Sequence, residues 1–211
     1  MKIIVGIATI YGREQQLQNT FKSLCPYVDE INIYHNGKEA IDYTDNAKFE
    51  SLKKYKEPIY FFSCDDDIIY PPNYIEETIK LIDKFNCIIT YHGRILRGKG
   101  IDYYKGHQSF SCKATNTQNR YIDVAGTGVT AFRTDYFNPT EIYNSEYKRM
   151  SDLVFSLEVR KQGKKILLGE HQYKWIQVQN IPLQNTIYGM EFKNQSKQIQ
   201  LADAIYITKI K

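Results

Sequence analysis

Residues 58–75 read PIYFFSCDDDIIYPPNYI, and the fold class follows from them. The opening PIYFFS is almost wholly apolar, the pattern of a strand covered on both faces. Asp65, Asp66 and Asp67 follow at once. Pro71 and Pro72 then open a helix predicted over residues 73–85, because a first turn tolerates proline where its amides have no partner anyway. Strand, acidic turn and helix make one half of a repeating α/β unit.

The flanking sequence repeats the pattern. Residues 3–10 are a near-continuous apolar run ending at Tyr11-Gly12, and residues 13–24 carry Leu17, Thr20, Phe21 and Leu24 at helical spacing until Pro26 stops the helix. Residues 30–34 (EINIY) alternate as a strand into His35-Asn36-Gly37, where Asn-Gly favours a positive-φ turn. Strand, helix and strand predict a right-handed βαβ unit. A short helix is expected over residues 46–55 and a fourth strand over 87–91. Residues 92–120 are polar and glycine-rich, which suggests a functional loop or a small antiparallel excursion. Residues 121–133 read as a strand broken by Gly126-Thr127-Gly128, and residues 151–162 as a helix closed by Gly163. Late strands are expected at 165–168 and 172–178, and a terminal helix at 190–207. The expectation is one α/β domain over residues 1–211, with a mostly parallel central sheet flanked by helices.

Composition narrows the function classes. With 42% hydrophobic and 25% charged residues in 211, wholesale disorder is excluded. A net charge of +4 is too small for a dedicated nucleic-acid binder, and only Arg94, Arg97 and Lys99 cluster. That cluster suits an anionic acceptor or a membrane surface. Eighteen tyrosines offer flat faces for bases or sugars, although codon bias accounts for them equally well. The four cysteines are widely spaced with no CxxC pair, which argues against zinc. No apolar stretch approaches the roughly 20 residues of a membrane-spanning helix, and the first strand lacks a cleavage region. A reduced, cytoplasmic protein is therefore expected.

Asp65, Asp66 and Asp67 are the main chemical signal. Ligands of open α/β sheets bind at the carboxyl ends of strands. Three adjacent carboxylates there repel one another unless a cation or strong hydrogen bonds offset them. Mg²⁺ and Mn²⁺ take oxygen ligands and share them with substrate phosphates, so the cluster predicts a divalent ion bridging the protein to a diphosphate. The competing reading is a solvated acidic turn that also caps the next helix. Asp152, beside Ser151 at a helix start, reads either as a base or as an acid favoured by the helix dipole.

Four segments carry a family resemblance: KIIVGIATIYGR, VDEINIYHNG, YFFSCDDDIIYPPNYI, and GTGVTAFRTDYF together with MSDLVFSLEVRKQGKKI. In this order the chain resembles nucleotide-sugar-dependent glycosyltransferases of the GT-A fold, especially the large inverting family of short bacterial enzymes. The resemblance spans most of residues 1–170. It implies a Rossmann-like GT-A domain with residues 1–91 as the nucleotide-sugar half, 92–180 as the acceptor half and 181–211 as a C-terminal extension. It further implies metal-dependent inverting transfer of a sugar from a nucleoside diphosphate to a glycan or lipid-linked acceptor, in bacterial surface-polysaccharide assembly. Mn²⁺ or Mg²⁺ would be held by Asp67 and Asp65, with His171 as a third ligand. Donor contacts would come from Thr9, Tyr11, Arg13, Asp45, Asp65 and Asp66, while Asp45 could equally be a helix cap. Asp152 would be the general base. The chain departs from the family pattern at Thr9-Ile10, where Pro-Thr is usual, and at Ser151, where another acid is usual. The mildly basic C-terminal stretch sets a peripheral contact with the inner face of a membrane beside simple packing. Nucleic acid is not an expected partner. The competing functions are a non-catalytic nucleotide-sugar-binding protein and a nucleotidyltransferase, the latter disfavoured because ATIYGR supplies one glycine and one arginine for a triphosphate.

Overall fold

A computed structural model describes residues 1–139, 141–182 and 195–209. Strand β1 (Lys2–Thr9), helix α1 (Glu14–Leu24) and strand β2 (Glu30–His35) form the expected unit, with β2 parallel to β1. Strand β3 (Ile59–Asp65) pairs in parallel with the other edge of β1, so that Ala8 lies opposite Asp65. The chain therefore changes its direction of travel across the sheet between β1 and β3. That is the topological switch point at which an open α/β sheet leaves a crevice outside its carboxyl ends.

The rest of the sheet completes the frame. The remaining strands are β4 (Ile68–Ile69), β5 (Ile88–Thr90), β6 (Gly93–Ile95), β7 (Gln108–Phe110), β8 (Arg120–Ile122), β9 (Val124–Ala125), β10 (Val129–Arg133), β11 (Ile166–Leu168) and β12 (Gln177–Val178). Helices α2 (Tyr74–Phe85), α3 (Ser151–Lys161) and α4 (Ser196–Lys209) complete the set. The main sheet has the order β2-β1-β3-β10-β5-β11-β8, with β10 and β8 antiparallel to the other five strands. Residues 92–120 form the antiparallel excursion, in which β6 pairs with both β7 and β9. Of the strand expected over 172–178 only β12 forms. It pairs with β4, behind the acidic turn. Residues 190–194 of the expected terminal helix lie outside the described residues.

Strict alternation builds two core layers. Val5, Ile7, Phe62, Ile89, Ala131 and Leu167 face one layer, together with Leu24 of α1 and Tyr74, Ile75 and Ile82 of α2. Ile4, Phe61, Ile88, Phe132, Ile166 and Leu168 face the other, where Phe49 stacks on Phe155 of α3 at 5.4 Å. Burial on both faces explains why these strands read as unbroken apolar runs. A smaller cluster of Leu96, Val124, Leu153, Leu201 and Ile205 seats α4 against α3 and the excursion.

Residues Thr44–Lys54 form a 3₁₀ helix, tighter than the short helix expected at 46–55 and unusually long for its type. It lies directly on β1 at Gly6. A Cβ at residue 6 would overlap the carbonyl oxygen of Lys48, so the missing side chain is what allows this close approach.

Candidate active site

The acidic turn is anchored from three sides. Thr20 of α1 donates its hydroxyl to the carbonyls of Asp66 (3.0 Å) and Ile68 (2.7 Å). Gln179, just past β12, donates its amide to the Asp67 carbonyl at 2.8 Å. The Tyr70 hydroxyl accepts the Asp65 amide at 3.0 Å and donates to the Gly128 carbonyl. The turn is thus a built feature of the fold, not a solvated loop.

Each carboxylate has its own environment. Asp66 is buried: Thr9 Oγ1 donates to its Oδ2 at 2.6 Å and Arg13 to its Oδ1 at 3.1 Å. Asp67 meets the same guanidinium at 3.4 Å. Asp65, whose side chain is 42% exposed, accepts from the buried ammonium of Lys48, and its carboxylate fills the space beside Gly128 that a Cβ would occupy. Burial alone would lower the Lys48 pKa, but Asp65, and after it Asp45 and Asp152, hold it above its ordinary value. Burial raises Asp66 despite its bond from Thr9. Asp67 is pushed up to about 7 by burial, then by Asp65 and Asp66, with Arg13 offsetting only part.

Asp45 and Asp152 meet at the start of α3. Asp45 Oδ2 accepts the Ser151 amide at 2.9 Å. Burial raises Asp45, while Lys48 and Ser151 pull it down. It is indeed a cap, but of a helix that begins 106 residues later. Asp152 Oδ1 accepts both the amide and the hydroxyl of Thr127 at 2.7 Å, from the centre of Gly126-Thr127-Gly128. No hydrogen bond reaches Asp152 Oδ2 among the described residues.

Two clefts meet over the Lys48–Asp65 pair. One, of about 340 Å³, lies over the carboxyl ends of β1 and β3, and the other, of about 470 Å³, holds Asp152, His92, Arg94 and Thr127. They share Asp45, Lys48, Asp65 and the exposed Arg149. The first sets five carboxylates (Asp42, Asp45, Asp65, Asp66, Asp67) against three cations (Arg13, Lys48, Arg149). The second sets Asp45, Asp65 and Asp152 against Lys48, Arg94, Lys113 and Arg149. One cleft is therefore short of positive charge, and the other has an excess of it.

Of the residues singled out in the sequence, Thr9, Arg13, Asp45, Asp65, Asp66, Asp67 and Asp152 line these clefts. Two expected residues do not. Tyr11 is 61% exposed and packs against His35, with ring centroids 4.7 Å apart, outside either lining. His171 is buried in an aromatic cluster, stacked on Tyr91 at 5.7 Å and close to Trp175. Burial lowers its pKa. No group of three His, Cys, Asp or Glu side chains able to hold a metal forms among the described residues, so Asp65, Asp67 and His171 do not assemble as a ligand set.

The charge shortage nevertheless fits a divalent ion. Mg²⁺-type ions at phosphate sites are commonly held by one or two carboxylates plus substrate oxygens, not by an all-protein cage. Asp67, held above its ordinary pKa by burial and then by the charges of Asp65 and Asp66, is suited to that arrangement together with Asp65. Lys48, Asn36, His92 and Arg149 line the clefts without having stood out in the sequence.

No family model matches the chain, and no curated protein matches it. Among solved structures it is similar to the crystal structure of A197 from STIV, with 10% identity and a TM-score of 0.44 over 86% of this chain and 96% of that one. It is also similar to the inositol-1-phosphate CTP transferase from T. maritima, with 12% identity and a TM-score of 0.39 over 94% of this chain and 75% of that one. No helix among the described residues is long and apolar enough to cross a membrane.

Proposed function

We propose that the chain is an inverting glycosyltransferase of GT-A type, moving a sugar from a nucleoside diphosphate to an acceptor hydroxyl. The observation that carries this reading is the pair of adjoining clefts. One lies at the β1/β3 switch point with the acidic turn, and the other holds a carboxylate with one oxygen anchored and one unbonded. The first suits a nucleotide diphosphate, because switch-point crevices bind nucleotides. The second suits the acceptor.

In this reading Asp152 Oδ2 takes the proton of the acceptor hydroxyl, whose oxygen attacks the anomeric carbon as the bond to the diphosphate breaks. The electron pair of that bond leaves on the diphosphate oxygen, and a single displacement inverts the anomeric centre. Thr127 holds Asp152 Oδ1 so that Oδ2 keeps its aim. Lys48 and Arg13 lower the negative charge that the diphosphate meets in its cleft. Mn²⁺ or Mg²⁺, held by Asp65 and Asp67, would supply further charge neutralisation on the leaving group.

The test is thermal shift of the purified chain with UDP, GDP, CMP and dTDP, each with and without Mn²⁺. One nucleotide should stabilise it, more strongly with the metal. No response to any of the four would overturn the assignment.

A further inference from the structure

We infer that the second cleft is built for an acceptor bearing an oxyanion, a carboxylate or a phosphate, near the hydroxyl that reacts. The inference rests on reading that cleft as the acceptor side, and it names the acceptor's chemical class.

The first observation is unpaired positive charge. The Arg94 guanidinium lies 4.6 Å from the centre of the Tyr103 ring and donates to the Tyr103 hydroxyl at 3.3 Å. Its Nε is buried without a hydrogen-bond partner among the described residues. Lys113 reaches the same cleft from the loop after β7. Neither cation pairs with a carboxylate among the described residues. A guanidinium stacked on an aromatic face is pre-oriented, and its planar fork matches a carboxylate or phosphate.

The second observation is independent and comes from α4. Gln198 is 2% exposed and lines the cleft, yet among the described residues neither its Oε1 nor its Nε2 has a partner. Buried amides without partners are uncommon because each polar group forfeits its hydration. An acceptor sugar would supply what this amide lacks, since a hydroxyl both donates and accepts. Gln198 would then read the sugar while Arg94 and Lys113 hold the charge, leaving Asp152 to the reacting hydroxyl.

Saturation-transfer NMR on the full chain tests this with three probes of similar size: glucuronate, glucose 6-phosphate and glucose. At least one anion should bind about tenfold more tightly than glucose, and the better of the two identifies carboxylate or phosphate. Arg94→Gln and Lys113→Gln should each weaken that anion about tenfold without changing nucleotide stabilisation. Lys113 is exposed, so its variant keeps the test valid if Arg94→Gln does not fold. Glucose binding as well as both anions, or anion binding unchanged in Lys113→Gln, overturns the inference. A chain that binds nucleotide but neither anion overturns it while the transferase reading stands. A chain that binds an anion through Arg94 and Lys113 but no nucleotide supports the oxyanion site and sinks the transferase reading.

Discussion

Asp45 Oδ2 accepts the backbone N–H of Ser151 at 2.9 Å, so a carboxylate at the start of the Thr44–Lys54 helix caps α3 from 106 residues away. Met150, at the N-cap position itself, contributes no side-chain bond. The cap sets where α3 begins, and hence where Asp152 stands.

Removing that cap should be felt in stability. Asp45→Ala leaves the Ser151 amide at the start of α3 without this acceptor and takes negative charge from the helix's positive end, a loss of about 1–2 kcal/mol. Asp45→Asn, which can still accept the bond, should lose less than half as much. Urea denaturation of the two variants measures the difference, and equal losses would show that the bond contributes nothing.

Two glycines predict opposite kinds of damage. A Cβ at Gly6 meets the backbone carbonyl of Lys48, which cannot move without the helix that carries it. Gly6→Ala should therefore cost at least the roughly 1–3 kcal/mol typical of overpacking. The three atoms nearest a Cβ at Gly128 all belong to the side chain of Asp65, which can swing away at the expense of its bond to Lys48. Gly128→Ala should keep most of the stability and lose most of the nucleotide response. Thermal melts with and without nucleotide separate the two, and similar behaviour in both variants would contradict the geometry.

The fold was legible because its information is local and periodic. The apolar runs in β1 and β3, the helical spacing in α1, the prolines before α2 and Gly163 after α3 each state their element without tertiary knowledge. The carboxylates of the acidic turn were legible for the same reason, since three adjacent acids at a strand end stand out in any context. Lys48 was not, because nothing in DNAKF says that the lysine points inward. Its partner Asp65 lies 17 residues away, and its position depends on Gly6 having no side chain. His171 misled for the converse reason. A histidine after a late strand matches a ligand pattern, but the Tyr91 ring it stacks on is brought there by the pairing of β5 with β11, which the sequence does not print.

Asp67 predicts a pH dependence with a definite sign. Its folded pKa, pushed up to about 7, lies above the ordinary aspartate value of 3.8, so between those values the folded chain holds a proton that the unfolded chain has released. Stability from this group therefore falls as pH rises through that window, and the whole penalty is present above about pH 7. Asp67→Asn should raise the melting temperature at pH 8 and change it little near pH 4. The difference between variant and wild type cancels contributions from other titrating groups. A variant less stable than wild type at pH 8 would mean that the bond to Arg13 outweighs the repulsion from Asp65 and Asp66.

Gln198 predicts a conflict between stability and binding. Replacing this amide by the similarly shaped Met removes two buried polar atoms that have no hydrogen bonds among the described residues. Gln198→Met should therefore stabilise the free chain by about 1 kcal/mol, within the range set by an unsatisfied buried group. It should weaken the anionic sugar that the wild type binds. Loss of stability in this variant would show that the amide serves packing instead.

The assignment of Asp152 as the base is tested by a variant that keeps its shape. Asp152→Asn can still accept from the Thr127 amide and hydroxyl at the oxygen position now held by Oδ1, so α3 and the Gly126-Thr127-Gly128 turn should keep their places. What it loses is the ability to take a proton. Transfer should fall by about 10²–10⁴-fold, the usual worth of a positioned base, while the nucleotide-induced thermal shift stays at its wild-type size. Thr127→Val separates aim from chemistry. It removes the hydroxyl bond to Oδ1 but leaves the amide bond and the carboxylate, so transfer should fall less than in Asp152→Asn. If Asp152→Asn transfers sugar at the wild-type rate, the proton goes elsewhere, and His92 on the same cleft wall is the group to replace next.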